Sequence, residues 1–538
     1  MGQASLWSPL SVPTFRNLLL ADVLSDIGTF MQSVGAAWLM VSFGAGPMYV
    51  ALTQTASSLP FFVVALPAGS IGDIVDRRKL ILLTEVWMAA FAALLAALTV
   101  AGAMTPWLLL AFTFAISAGD ALETPTWRAV LPELVPRAEL PAASALNGIE
   151  LKLARAVGPA LAGALIAIAG VGAAFAVNAV SFAGVIWVVA RWKRRSQPGA
   201  IPAETLAGAT VAALRYVRHA PGIRTLAIRS GIVMLFASAV LALLPTVAQR
   251  TGNSSFAYGV LLGCFGAGAV VGALLMQRAR ARWSTDAVVS TAIAILGVTV
   301  ALTGVAHALS MLGVLMILAG ATWITFISLF SAMVQSMAPD WVRARVLAIF
   351  ILAFQGGIAA GSALWGLLGE RAGVQIALEC AGLGCVVIAA LSFVWRLPTV
   401  PADVSPWNHW RMPVVLTGGN VALEDGPVLV TVEYFVDAHQ ANAFVHVMRQ
   451  YEDVRRRDGA SRWGLYHDTE VPDRYVETFV VGSWGEHLRQ HARLTQADRA
   501  LEDRIQALVR GQPKVQHLID SRREIMAHAR ERAVRRPR

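Results

Sequence analysis

Charge is what this chain of 538 residues has least of. Asp, Glu, Lys and Arg make up 14% of it, against 56% hydrophobic residues, where a soluble domain carries about 25% charged residues. That shortage excludes an ordinary soluble protein, because so much apolar side chain exceeds what one aqueous core hides. Cysteine is scarce too. Cys264, Cys380 and Cys385 all lie inside apolar runs, which excludes a disulfide framework and leaves them as small packing residues. There is no phosphate-binding glycine loop and no dinucleotide fingerprint, so ATP-driven work is disfavoured and no cofactor is expected. A basic start followed by a short apolar core and a small-residue cleavage site is also missing. The first apolar segment therefore reads as a retained span rather than a cleaved leader.

What fills the chain instead is apolar sequence in runs of bilayer length. About twelve occur, at 14–43, 48–71, 80–103, 106–130, 141–169, 173–192, 222–248, 256–277, 286–307, 310–336, 344–368 and 374–396. Several exceed about 20 residues, so tilt or extension beyond the lipid is expected. Lys and Arg gather in alternate loops: Arg77, Arg78 and Lys79; Arg137; Lys193 to Arg195 with Arg215, Arg218 and Arg224; Arg278, Arg280 and Arg282; Arg343 and Arg345. That asymmetry puts the basic loops in the cytoplasm, and an even number of spans puts both termini there. It accounts for the net charge of +10 without a nucleic-acid partner; membrane lipid is the partner expected.

The runs divide into two halves. A basic stretch containing Pro and Gly at 193–221 separates them and carries a short segment with Leu206, Val211, Leu214 and Val217, read as a cytoplasmic surface helix. Pro136 and Gly158 are 22 residues apart, as are Pro339 and Gly361; Gly163 and Gly366 each follow five residues later, and Gly69 and Gly272 keep the same offset of 203. Four matches at one offset favour duplication. The predicted organisation is a first six-helix bundle (1–192), the linker (193–221), a second six-helix bundle (222–397), a linker (398–426), a cytosolic α+β domain (427–520) and a basic tail (521–538). Within the α+β domain, "PVLVTVEYFV" alternates as a strand and 437–459 has helical spacing. "RWGLYHD" and "RYVETFVVGSW" read as strands, 485–510 as helix and "KVQHLI" as a last strand. The order βαββαβ predicts a ferredoxin-like domain.

Two motifs carry chemistry. "GSIGDIVDRRK" (69–79) packs Asp73, Asp76, Arg77 and Arg78 into one turn after Gly69. The glycine permits close helix packing, the carboxylates suit a helix N-terminus, and the arginines pair with acids across the turn. "RAVGPALAG" contains Gly158, Pro159 and Gly163, small residues that let helices approach and a proline that kinks one. The first motif resembles the loop signature of the major facilitator superfamily, with Asp76 in place of a usual Gly and Ile74 in place of a usual Arg. The second resembles the Gly-Pro motif of its exporters, with Ala162 in place of a Gly. "PELVPRAELPAASALN", "RWGLYHD" and "GSWGEHLRQHARLT" resemble the branch that contains enterobactin exporters and related secretion permeases. The resemblance implies twelve transmembrane helices in two six-helix bundles, and a latch between helices 2 and 11 in which Arg343 and Arg345 lie opposite the 69–78 loop.

Ionised residues deep in a span point to function. Asp26, Asp120 and Arg155 fall near the middle of their predicted helices, Asp22 lies one turn from Asp26 on the same face, and Glu123, Glu150 and Lys152 extend the set. The superfamily resemblance places helices 1, 4 and 7 around a central cavity, which brings these residues to it together with Arg229. Two readings stand: a carboxylate that pairs with Arg155 in one state and is protonated in the other, or a static ion pair that sets helix register. Glu85 and Glu379 are expected at the interface. Trp38, Trp127, Trp323, Phe326 and Trp365 are candidates for an amphipathic path or for packing. His487 and His491 lie one helical turn apart, but no adjacent Cys or acid completes a metal set, so no metal is expected. The α+β domain resembles the small dimeric barrels of antibiotic-biosynthesis monooxygenases, with Trp463 and Trp484 present, and is read as a binding or dimerising module. The expected function is secondary active export of a small siderophore-like or drug-like molecule by proton antiport, without enzymatic activity. A lipid or lysolipid flippase, and a membrane-tethered enzyme or sensor, are the alternatives.

Overall fold

A computed structural model of the chain describes residues 7–74, 76–192, 206–251, 254–392, 395–397, 403–405, 407 and 423–520. Its long helices are α1 (Pro13–Ser42), α2 (Pro47–Ile74), α3 (Arg77–Val100), α4 (Pro106–Leu134), α5 (Leu140–Ala169) and α6 (Val171–Arg191). After the short α7 (Leu206–Arg218) come α8 (Pro221–Arg250), α9 (Ser255–Arg280), α10 (Thr285–Val305), α11 (Leu309–Met337), α12 (Arg343–Ala372) and α13 (Val374–Leu391). Among the described residues, ten of these helices are long and apolar enough to cross a membrane, where about twelve were expected. The two outside that set are α1 and α2; α1 carries Arg16, Asp22 and Asp26 along its thirty residues.

Helix ends follow local chemistry. Asp76 caps α3 by accepting from the Lys79 amide, and Thr105, Ser254 and Ser284 cap α4, α9 and α10 in the same way. Gly170 (φ 81°) ends α5 and Gly373 (φ 96°) starts α13. Both adopt a conformation costly for any residue with a Cβ, and they too are 203 positions apart. Large apolar side chains such as Leu83, Ile168, Val180 and Leu274 point outward, as lipid-facing helices require.

The chain divides into two compact units. The first holds α1–α6 and most of α8–α13. In it α1 packs on α5 and α6, α3 on α4 and α6, α2 on α4, α10 on α13, and α5 on α9. The repeated glycines make equivalent contacts. A Cβ on Gly158 would meet Phe30 and Ile27 of α1, and one on Gly361 would meet Leu235 and Ser238 of α8. Gly163 meets Gly259 and Ser255 of α9, while Gly366 meets Ala51 and Met48 of α2. In each half the first glycine seats its helix on the leading helix of its own half. The second seats it on the second helix of the other half.

The second unit comprises residues 203–225, 332–347 and 400–538. Helix α7 and the turn before α12 thus group with the C-terminal domain, which the sequence boundaries separated. The domain contains β1 (Val428–Phe435), α14 (Ala441–Asp458), β2 (Ala460–His467), β3 (Arg474–Val481), α15 (Trp484–Ala492), α16 (Gln496–Gln506) and β4 (Lys514–Ile519). The sheet order is β2-β3-β1-β4 with every neighbour antiparallel. Alternate residues of β1 and β3 face inward, where Val430, Val432 and Phe479 meet Phe444, Met448 and Tyr451 of α14. The single helix expected over 485–510 is two. Thr495 and Asp498 form a reciprocal capping box that starts α16 anew.

Candidate functional site

Acidic side chains of four helices meet in the first unit. Asp26 of α1 lies within hydrogen-bonding reach of Glu150 of α5 and within electrostatic reach of Arg155, one helical turn and a residue further along α5. The Arg155 guanidinium stands 5.6 Å from the centre of the Phe30 ring on α1. Asp120 of α4 interacts with Asp26, and its Oδ1 accepts from the Thr124 hydroxyl at 3.1 Å. Glu123, buried one turn on, accepts from the Thr84 hydroxyl of α3 at 2.6 Å. Asp22 opens on a small recess beside Trp127 and Asn147.

These interactions bring Asp22, Asp26, Asp120, Glu123 and Arg155 near one another, with Glu150 in reach of Asp22 and Asp26. Glu85 corrects the sequence reading. It is not at the interface but buried, within hydrogen-bonding reach of Glu123. Thr84, which donates to Glu123, precedes Glu85 in sequence, and that polar pair on an apolar helix was the available signal. Among the described residues Glu85 Oε2 and Glu150 Oε1 have no hydrogen-bond partner. Lys152 is exposed.

Arg229 does not join this set. It is 1% exposed and spans three segments, donating to Asp286 Oδ1 and Ser290 Oγ of α10 at 3.0 Å each and to the Trp395 carbonyl at 3.3 Å. It is a tie between α8 and α10. The candidate aromatics largely pack: Trp38 stacks on Tyr258, Trp323 and Phe326 sit in a chain with Phe265 and Phe330, and Trp365 donates to the Leu235 carbonyl.

Gly69 and Asp73 fall in a part of α2 whose side chains lie outside the described residues, as does the side chain of Arg137. Among the described residues, the rest of the motif makes contacts within its own half. Arg77 pairs with Glu133 at the end of α4 at 2.9 Å. Arg78 donates to the carbonyls of Val189 and Ala190 at 3.0 and 2.5 Å. These carbonyls close α6, where helix polarity favours a cation. Arg343 pairs with Asp340 at 2.6 Å and donates to the Ala338 carbonyl. Across the halves, α2 touches α12 where the Thr55 hydroxyl donates to the Ala359 carbonyl at 3.0 Å, and Gly356 fits against Phe62. The α5–α9 contact runs from Gly266 against Ala156 to Gly259 against Gly163, toward the end of α5 remote from the basic loops.

In the second unit, α7 and the turn before α12 are gripped by the sheet domain. Arg215 pairs with Glu486 at 2.9 Å and His219 with Asp453 at 3.5 Å. The Tyr216 ring meets Trp341 edge-on at 5.6 Å, and Arg493 lies 4.4 Å over the Trp341 ring. Glu486 also accepts from Arg493 and Arg489. Burial opposes its charge, but these arginines outweigh burial and hold its carboxyl down at about 2.

Residues 4–525 match the transmembrane secretion effector family, a span that includes both the helical part and the C-terminal domain. The chain is 26% identical over 407 residues to the multidrug efflux pump Tap of Mycolicibacterium fortuitum, covering 71% of this chain and 95% of that one. It is 27% identical over 393 residues to the enterobactin exporter EntS of Citrobacter koseri, covering 70% and 91%. In fold it is similar to a bacterial homolog of the human lysosomal transporter Spinster in an inward-facing, unoccupied conformation. That likeness has a TM-score of 0.56 and 14% identity, and covers 73% of this chain and 98% of that one. With its acid cluster, its paired glycine contacts and this match over nearly the whole length, the chain belongs to the transmembrane secretion effector family of major facilitator transporters.

Proposed function

We propose that the protein exports a small amphipathic molecule, siderophore-like or drug-like, across the bacterial cell membrane in exchange for protons. It does so by alternating access between two six-helix bundles, with the basic loops and both termini in the cytoplasm. The observation that carries the reading is the meeting of Asp26, Glu150, Asp120, Glu123 and Glu85 with Arg155 as the cation in reach among the described residues. Six charged groups of such unequal sign are costly in lipid. Two carboxyls in contact can share one proton, and a carboxylate released from Arg155 can take one up, so each change of partner is a chance to move a proton.

The glycine-lined α5–α9 and α2–α12 contacts are the surfaces on which such bundles would rock. They suit an arrangement closed at the end remote from the basic loops. The relatives named as a multidrug efflux pump and an enterobactin exporter support the substrate class and the direction. Nothing specific favours a flippase, since Arg229 is spent on Asp286. The C-terminal domain, of ferredoxin-like strand order, holds α7 and the turn before α12 and so biases the start of α12.

The test is substrate efflux from proteoliposomes under an imposed pH gradient, with wild type beside Asp26→Asn and Asp120→Asn. Exchange down a substrate gradient persists in at least one variant while pH-driven accumulation falls at least about tenfold. Undiminished pH-driven transport in both variants would remove these acids from the coupling step.

A further inference from the structure

The helix pair His487 and His491 gains a third histidine from a distant strand. Both lie on α15, four residues apart and so on one face, and β4 brings His517 against them. One ring nitrogen from each of the three lies within 4.8 Å of the others. The Nε2 atoms of His487 and His491 are 3.2 Å apart, close to the ~3.3 Å that two imidazoles take around one tetrahedral ion at about 2.0–2.1 Å. We propose that His487, His491 and His517 bind a divalent first-row transition metal of the Zn²⁺ class. The fourth coordination position would open into the adjoining cavity of the sheet domain.

The surroundings support this assignment. The cavity holds about 170 Å³ and is walled by Val430, Val432, Leu494 and Val515, room for a water or small anion as fourth ligand in an apolar shell. His487 is 1% exposed and its Nδ1 has no hydrogen-bond partner among the described residues, although the Gln490 side chain lies within reach to orient the ring. Burial first, then the neighbouring His491 and His517, keep His487 near 3, and burial with Arg455 keeps His491 near 4. Burial lowers His517 as well, and lowering favours the neutral ring, the form that ligates. Arg455 on the same wall does not repel a cation at full strength. Its Nε donates to Glu477 Oε1 at 3.0 Å, and Glu477 is fully buried. Arg455 lines the same cavity, which suits an anionic fourth ligand. The sequence hid the site because His517 is 26 residues beyond His491 in a strand of ordinary pattern.

The rival account is an edge-on and tilted cluster of three neutral rings, two of them against Trp484, with a proton between His487 and His491. Full-length protein in detergent, stripped with chelator, distinguishes the two by equilibrium dialysis against Zn²⁺ alone. The expected result is one Zn²⁺ per chain, bound at least about tenfold more weakly by His517→Gln and by His491→Gln. If either variant loses its fold, the X-ray absorption of Zn²⁺-loaded wild type decides instead, with three imidazole nitrogens at ~2.0 Å expected. Equal affinity in wild type and folded variants, no binding by wild type, or a shell with fewer than three imidazoles overturns the proposal. None of these readouts uses transport, so the site stands or falls separately from the proposed export.

Discussion

Two buried carboxylates show how neighbours decide what an acid does. Glu477 of β3 is fully enclosed and accepts from Arg455, from the Tyr434 hydroxyl at 2.9 Å and from the Trp463 indole at 2.9 Å. Such a group is a structural hub, because every lone pair is used. Glu150 keeps Oε1 without a partner among the described residues while lying in reach of Asp26, and a group held that way would be free to exchange partners. The same logic applies to the histidines of the sheet domain. An unfolded imidazole titrates near 6.5, whereas folded His487 and His491 are held near 3 and 4. Between about 4 and 6.5 the unfolded chain binds protons that the folded domain refuses, so stability is full above 6.5 and falls as pH drops through that window. The slope is about 1.4 kcal/mol per pH unit for each such proton. Hydrogen exchange at the β1 and β3 amides of full-length, metal-free protein is expected to accelerate from pH 6.5 to 4 beyond its intrinsic pH dependence. His487→Leu is expected to remove close to one proton from that slope. A wild-type slope of zero would contradict the buried, neutral state of these rings.

At the level of elements, the decisive feature is how closely α5 and α9 approach. A Cβ on Gly163 would stand 2.9 Å from the Gly259 Cα and 3.1 Å from the Ser255 carbonyl, and neither backbone atom is free to move aside. Gly163→Val therefore separates the two helices rather than repacking a side chain. In a background lacking the three native cysteines, Ile166→Cys, at a buried position three residues beyond Gly163 on α5, is expected to resist a membrane-impermeant thiol reagent. Adding Gly163→Val is expected to raise its labelling rate at least about tenfold, because each ~1.4 kcal/mol shifts an opening equilibrium by that factor. Unchanged labelling would mean that the contact does not hold this end closed. The strands of the sheet domain were legible because alternation is a local signal, and β1, β3 and β4 fall where "PVLVTVEYFV", "RYVETFVVGSW" and "KVQHLI" suggested. The break between α15 and α16 was not, because Thr495 and Asp498 lie within a mostly polar stretch where a cap stands out only once its hydrogen bonds are seen.

For the molecule as a whole, the division into units separates the helices that carry the acid cluster from the sheet domain. The second unit keeps α7 and the turn before α12 through Arg215, Tyr216, Trp341 and Arg493. Removing residues 427–538 is therefore expected to leave membrane insertion and substrate exchange in place while changing the rate of efflux, measured in proteoliposomes against the full chain. Complete loss of exchange with normal insertion would make the domain part of the transport path.

Composition and periodicity by themselves determined that this chain belongs in a membrane, that most of it is long apolar helices, and that a small αβ domain follows. Those properties are sums over many residues, each free to be approximate. The motif residues Gly158 and Gly163 were equally legible, since only small side chains permit close helices. Tertiary structure decided which charges meet. Glu85 joined the acid set, Arg229 left it for Asp286, and His517 came to stand beside His487 and His491. Each of those outcomes depends on the rotation of one helix or the register of one strand, a matter of a few ångströms that no pattern along the chain encodes.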